Sequence, residues 1–457
     1  YPRKTMRLRK TITTIVATAI LLAGWQLFAV IANQPELIPS LPRLVRTLCE
    51  WLVSGSFYQS VGATILRGVL GMSISFVCAI GMAGLFARFE WVYELFRPLL
   101  AIMRSIPVIS FILLALIFLN PESIPLMIAF LTMFPLLTEN LTRGILDLRP
   151  GLSIMARQFH IRRSNVLFQI IYPQLKPFLY SGLASAAGFG WRAIIMGEVL
   201  SQCAFGIGSE MKRAQNFIAV PELLAWTIVA VFISFFFDKG ISKVADITPK
   251  ISFANEDQTI PTPTLSVLDT KDISYQYGIQ HFSHSFQKGI IYGISAPSGK
   301  GKTTLLNLIG GILLPTEGEI HPTRHFGIAT IFQQPQLLPH LTAEENIILP
   351  LSSFLTEEKA RRNAQKHLQE MEMEPFGNRY PKELSYGQQQ RIAIARALAY
   401  PSPLLLMDEP FKGLDEALSH RIIERIREKQ MKEERIILFT SHNPDEIRLL
   451  ADEVIYL

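Results

Sequence analysis

Residues 294–304 read ISAPSGKGKTT, and the fold of the second half of the chain turns on this stretch. Before it lies GIIYGISA at 289–296, a β-rich apolar run, and TTLLNLIGGIL at 303–313 has the texture of a helix. A strand, a glycine-rich loop and a helix in that order form a cradle for phosphate. The backbone N–H groups of 298–303 would converge on the anion, helped by the positive end of the helix. Lys302 would add a point charge, and the Thr303 hydroxyl would ligate Mg2+. Pro297, Ser298, Gly299, Lys300, Gly301 and Thr304 complete the predicted binding stretch. The pattern G-x-x-x-x-G-K-[ST] begins here with Ala296 in place of glycine. Alanine fits that position if its φ is negative and fails if the backbone needs a glycine-only conformation.

Downstream, PLLLMDEP at 403–410 is a buried-strand pattern that ends in Asp408 and Glu409. An acid at the C-terminal end of a strand beside a phosphate loop can hold Mg2+ through water. The next carboxylate can polarise an attacking water as general base. Between loop and strand lies KELSYGQQQRIAIARAL, residues 382–398. Together these stretches resemble the ATPase of ATP-binding cassette (ABC) transporters, with LSYGQ at 384–388 matching the family signature LSGGQ.

That resemblance implies ATP and Mg2+ as cofactors and an α/β P-loop ATPase domain with a helical subdomain over residues 270–457. It implies that Gln333, in TIFQQP, senses Mg2+ and touches the membrane domain. Asp415, in FKGLDE, matches the D-loop aspartate of the ATP site, and His442, in FTSHNPDE, matches the histidine that contacts the γ-phosphate. Tyr277, in SYQYG, sits where the family stacks an aromatic ring on adenine. Lys302, Gln333, Glu409 and His442 are then the catalytic set, and Thr303, Gln333 and Asp408 the Mg2+ set. Two such ATPases dimerise head to tail, so Ser385, Gly387 and Gln388 would close on the ATP held by the partner's Lys302. Tyr386 departs from the first signature glycine, and Lys300 is an extra cation at a variable position. The chain stops soon after His442, at DEVIYL, which predicts no C-terminal regulatory extension.

The first half is of another kind. The chain is 49% hydrophobic and only 18% charged, too apolar for an ordinary soluble protein. Up to residue 245, long apolar runs alternate with short polar loops, and a bilayer-spanning helix needs about 20 mostly apolar residues. The runs 11–31, 62–86, 99–119, 124–141, 178–200 and 223–241 predict an all-α polytopic membrane domain at 1–245, surrounded by lipid. Pro107, Pro125 and Pro135 interrupt the third and fourth runs, which is tolerable where neighbouring helices satisfy the freed carbonyls. Lys and Arg cluster before the first run, between the fourth and fifth, and after the last. With the N-terminus inside, all three clusters lie in the cytoplasm, as does the ATPase half. The net charge of +6 is thus explained by loop position, and nucleic acid is not an expected partner. Cys49, Cys78 and Cys203 lack C-x-x-C spacing and read as small apolar packers. Residues 246–269 are polar, lack helical periodicity and contain three prolines, which predicts a tether between the domains.

Between the fourth and fifth runs, IMARQFHIRRSNVLFQIIYP at 154–173 resembles the coupling segment of binding-protein-dependent ABC importers, E-A-A-x3-G-x9-I-x-L-P. Ala156, Ile170 and Pro173 match at the family spacing, and His160 stands in place of the glycine. A short helix within about 148–176 would dock on the ATPase near Gln333 and transmit its closure. LIPSLPRLV, MRSIPVISF and GWRAIIMGEVLSQCAFGIG resemble the nitrate/sulfonate/taurine-type permeases. This implies a type I importer fold working as a homodimer in the bacterial inner membrane. Its solute would be a small anion, sulfonate or vitamin precursor delivered by an extracytoplasmic binding protein. Arg104, Arg192 and Glu198 lie in or near the apolar runs, where ionisable groups are costly. Arg104 or Arg192 could complement an anionic solute, or serve as structural pairs or snorkelling ends. An ABC exporter half-transporter and a membrane regulator with an inactive ATPase are the competing readings. The short cytoplasmic loops oppose the first, and the joint presence of Lys302, Asp408, Glu409 and His442 opposes the second.

Overall fold

The structure, a computed structural model, describes residues 2–245, 249–258, 265–276, 278–297, 299–322 and 327–457. The chain divides into two units, Tyr1–Leu148 with Leu175–Ile247, and Arg149–Gln174 with Thr248–Leu457.

The first unit is helical. Gly55–Arg88, Pro121–Leu146, Arg163–Ser201 and Val220–Lys243 are each long and apolar enough to cross a membrane. Glu90–Ser105 and Val108–Phe118 form a pair bent by 95°, and Val16–Ala32 is an apolar stretch of the helix Pro2–Ala32. Among the described residues, then, four helices or up to five have spanning length, against the six runs expected. The bend has a local cause. Pro107 disfavours helical geometry at Ile106, which takes φ −70° and ψ 130°. Helices approach closely where side chains are small. A Cβ on Gly71 would come within 2.6 Å of the Ala129 Cβ, so Gly55–Arg88 and Ile124–Leu146 meet almost backbone to backbone. Ala79, Ala83, Met133, Leu137 and Ile194 fill the core beside this contact.

In the second unit, strands β1 (Val267–Tyr275), β2 (Ile279–Gln287) and β4 (Glu317–His321) form an antiparallel sheet in the order β2-β1-β4. Strands β3 (Ile291–Ser295), β5 (Ala329–Ile331), β6 (Leu404–Asp408), β7 (Ile436–Thr440) and β8 (Glu453–Tyr456) form a parallel sheet ordered β5-β6-β7-β3-β8. The inner strands β6 and β7 are buried along their whole length, as continuous apolar runs in a parallel sheet require. Helices Ala343–Leu351, Glu357–Glu370 and Tyr386–Ala399 pack together into the helical part of this unit.

The segment expected to be a tether is only partly one. Among its described residues, Ala254 N donates to Ser352 O (3.0 Å), and Gln258 N donates to Phe354 O (2.8 Å). Ile251 and Phe253 lie against the core of the second unit. Alternating apolar residues in this stretch, invisible to a search for helical period, anchor it.

Candidate nucleotide site and coupling segment

The phosphate loop leaves β3 at Ser295 and enters the helix Lys302–Ile309 through Gly301, whose φ is 88°. A Cβ there would lie 2.6 Å from the Gly278 carbonyl oxygen, so only glycine fits on both conformational and steric grounds. Ala296 has no positive φ, which removes the objection to alanine at the first position of the loop. The Lys302 side chain is buried and its Nζ donates to Ala296 O at 2.7 Å. Two expected ATP contacts, Tyr277 and Ser298, lie outside the described residues.

Sheet order gathers the acids at the loop. Ile294 pairs with Thr440, and Thr440 pairs with Asp408, so the C-terminal ends of β3, β7 and β6 lie side by side. This is the end of a parallel sheet where ligands bind. Thr303 Oγ1 donates to Asp408 Oδ2 at 2.9 Å, and Thr440 Oγ1 donates to Asp408 Oδ1 at 2.8 Å. Burial pushes the Asp408 carboxyl above its ordinary value, against the opposing effect of these two hydroxyls. No group of three or more His, Cys, Asp or Glu able to hold a metal occurs among the described residues. One hydroxyl and one carboxylate beside a phosphate cradle do fit Mg2+, which keeps most of its ligands as phosphate oxygens and water.

Glu409 has φ 50°, a costly backbone for a non-glycine residue that turns it away from the strand direction. Its carboxylate lies 2.8 Å from His442 Nε2 and 3.2 Å from Lys412 Nζ, with Gln333 in the same cavity. Burial raises its pKa, but Lys412, Gln333 and His442 outweigh burial and hold the carboxyl below its ordinary value. These four residues, with Ser441, Asn443 and Glu446, line a cavity of about 520 Å³. Sequence reading missed Thr440 and Lys412. The β6–β7 register alone reveals Thr440, and Lys412 is signalled only by its spacing from Glu409.

Ser385 and Gln388 form a reciprocal capping box at the start of the signature helix Tyr386–Ala399. Asp415 caps the next helix of its own chain, accepting from Leu418 N at 2.9 Å. A Cβ on Gly387 would meet Gly413 O at 2.6 Å, so this signature glycine is held against the 413–415 turn.

The coupling segment is part of the second unit. Leu152, Met155, Ala156 and Phe159 recur at helical spacing and are buried in the core shared with Leu337, Leu338 and Ile348. Gly151 admits the Gln336 side chain, whose Oε1 lies 2.6 Å from where a Cβ would stand. The segment thus packs three residues beyond Gln333 in sequence. His160 closes the helix Pro150–Gln158 with φ 46°. Ile161 N donates to Ala156 O (2.9 Å) and His160 N to Arg157 O (3.2 Å), the paired bonds of a Schellman end. That left-handed position explains why the family pattern has glycine there. Ile170 is buried and Pro173 half-buried. Gln158 donates to Gly310 O and accepts from Ile328 N, both at 2.8 Å. Arg396 is buried under the Phe159 ring, 5.4 Å from its centroid, and donates to Gln336 O (2.8 Å) and Pro335 O (2.9 Å). Neither contact was legible in the sequence.

In the first unit Arg104 pairs with Glu139, which also holds Arg143. Arg192 donates to Gly188 O and lies over the Phe189 ring. Glu198 is buried and accepts from Arg67 (2.8 Å), Thr64 (3.0 Å) and Gly208 N (2.9 Å). Arg67 extends this network to Glu122 at 2.6 Å. Arg104 and Glu198 therefore each stand in an ion pair.

Comparison with known proteins matches both halves. The family described as "ABC transporter" matches residues 279–412, and "Binding-protein-dependent transport system inner membrane component" matches 73–238. An uncharacterised ABC transporter ATP-binding protein of Methanocaldococcus jannaschii is 34% identical over 201 residues, 40% of this chain and 85% of that protein. The Fe(3+) ions import ATP-binding protein FbpC of Rhizobium etli is 35% identical over 189 residues, 39% of this chain and 54% of that protein. The glucose import ATP-binding protein GlcV of Saccharolobus solfataricus is 35% identical over 185 residues, 37% of this chain and 52% of that protein. The chain thus spans about half the length of these two relatives.

Proposed function

Since the chain belongs to the ABC transporter family, with permease and ATPase in one polypeptide, we propose that it is an ATP-driven importer of a small solute. A homodimer supplies two permeases and two ATPases, and Ser385, Gly387 and Gln388 of one protomer complete the ATP site of the other. Lys302 and the loop hold the β- and γ-phosphates. Thr303, Asp408 and Gln333 would hold Mg2+, which would offset phosphate charge. Glu409 orients and deprotonates the attacking water, and His442 donates to the γ-phosphate. A solute-binding protein outside a bacterial inner membrane presents a small anion, sulfonate or similar molecule. The coupling segment carries ATPase closure to the permease, which alternates between two states of different solute affinity.

One observation supports this most: the coupling segment is buried in the ATPase core within three residues of Gln333, which lines one cavity with Glu409 and His442. The test is Glu409→Gln in the full chain in nanodiscs. Retained Mg-ATP binding with hydrolysis down at least about 100-fold is expected, the scale of losing a general base. Hydrolysis at the wild-type rate would remove Glu409 from the role of base.

A further inference from the structure

Tyr386 is where the signature departs from the family, and its surroundings give the departure a role. The residue opens the signature helix with its side chain 42% exposed. Its ring packs on Gly413: a Cβ there would lie 2.8 Å from the ring Cδ1. Gly413 also has φ 78°, so no larger residue fits without strain. The Tyr386 hydroxyl donates to the Gln333 carbonyl oxygen at 2.7 Å, across 53 residues of sequence. Gln333 in turn lines one cavity with Glu409, and Glu409 meets His442. The signature loop is thus bonded to a residue that shares its cavity with the acid and histidine of the same chain's phosphate site.

We infer that Tyr386 is a positioning residue that links the two ATP sites of the dimer. This rests on the proposed function, in which the signature loop of one chain closes on the ATP of the other. When Ser385 and Gly387 engage the partner's nucleotide, Tyr386 moves with them as the first residue of their helix. Its hydroxyl carries that engagement to Gln333 and so to Glu409. A glycine at 386 has no side chain to do this. The consequence is that occupation of one site prepares the acid of the other.

The test compares the full chain in nanodiscs with Tyr386→Phe and Tyr386→Gly, measuring Mg-ATP hydrolysis against ATP concentration. Phenylalanine keeps the ring on Gly413 and loses only the hydroxyl. The wild type is expected to hydrolyse ATP with a Hill coefficient well above 1. Tyr386→Phe is expected to bring it close to 1 and lower kcat several-fold, with half-saturating ATP unchanged, and Tyr386→Gly to do at least as much. A wild-type Hill coefficient of 1, or Tyr386→Phe indistinguishable from wild type in kcat and Hill coefficient, overturns the inference. Mg-ATP binding by each variant, measured by equilibrium dialysis, separates this from misfolding. The Glu409→Gln variant run alongside separates it from a wrong base: normal hydrolysis there sinks the functional reading instead.

Discussion

Replacing Asn165 with alanine is expected to loosen residues 249–258 from the ATPase unit by about 1–2 kcal/mol, from the usual net worth of a hydrogen bond. Asn165 is 1% exposed. Its Oδ1 accepts from Ser252 N, and its Nδ2 donates to Ser252 O and to Ser352 Oγ, each at 2.8 Å. The two bonds to Ser252, at about 0.5–1.5 kcal/mol each, bracket the loss at roughly 1–3 kcal/mol. The upper part of that range is not reached. Ser252 is exposed, so water replaces the lost partners, and Ser352 keeps its bond to Leu349 O. At about 1.4 kcal/mol per tenfold, the opening equilibrium of the segment rises roughly 5- to 30-fold. Hydrogen exchange of the full chain, followed by mass spectrometry, reads this directly: amides of 254 and 258 exchange faster, while those of β6 do not change. Exchange at 254 and 258 within about threefold of wild type would refute the idea that Asn165 fastens the segment.

Three further outcomes follow from particular side chains. Arg396→Met should destabilise the ATPase by about 2–4 kcal/mol, because two buried carbonyls lose charged donors; an unchanged melting temperature would contradict this. His160→Gly should stabilise the coupling segment by about 1 kcal/mol, the cost of a left-handed non-glycine residue, seen as slower exchange over 152–161. His367 is buried, and burial followed by the Lys429 ammonium hold its pKa below the ordinary 6.5. The unfolded chain then binds the extra proton below pH 6.5 and the folded chain does not, so stability falls on acidification. The slope is at most about 1.4 kcal/mol per pH unit, and His367→Gln should flatten it in unfolding curves at pH 7.5 and 5.5.

The residues of the candidate nucleotide site that the sequence points to have local determinants. Glycines at strained turns, a lysine and a threonine at a helix start, and acids at a strand end announce themselves by residue type and short spacing. What the sequence concealed depends on contacts between distant segments. Thr440 matters because β7 lies between β3 and β6. Arg67 matters because it meets Glu198 across 131 residues. Asn165 reads as one more polar loop residue until Ser252 is brought beside it. His160 looked like a lost glycine, whereas the backbone shows the same left-handed turn made by a costlier residue. The bent pair Glu90–Ser105 and Val108–Phe118 shows the converse: Pro107 was visible, but a 95° bend could not be told from a kink.

Direction of transport is the central claim, and vesicles test it directly. The full chain is reconstituted into liposomes that enclose Mg-ATP, with a candidate binding protein and a labelled panel of small anions and sulfonates outside. The account predicts ATP-dependent accumulation of a panel member inside, requiring the binding protein and absent with Glu409→Gln. ATP-driven loss of a preloaded solute from those vesicles, with no accumulation, would contradict it.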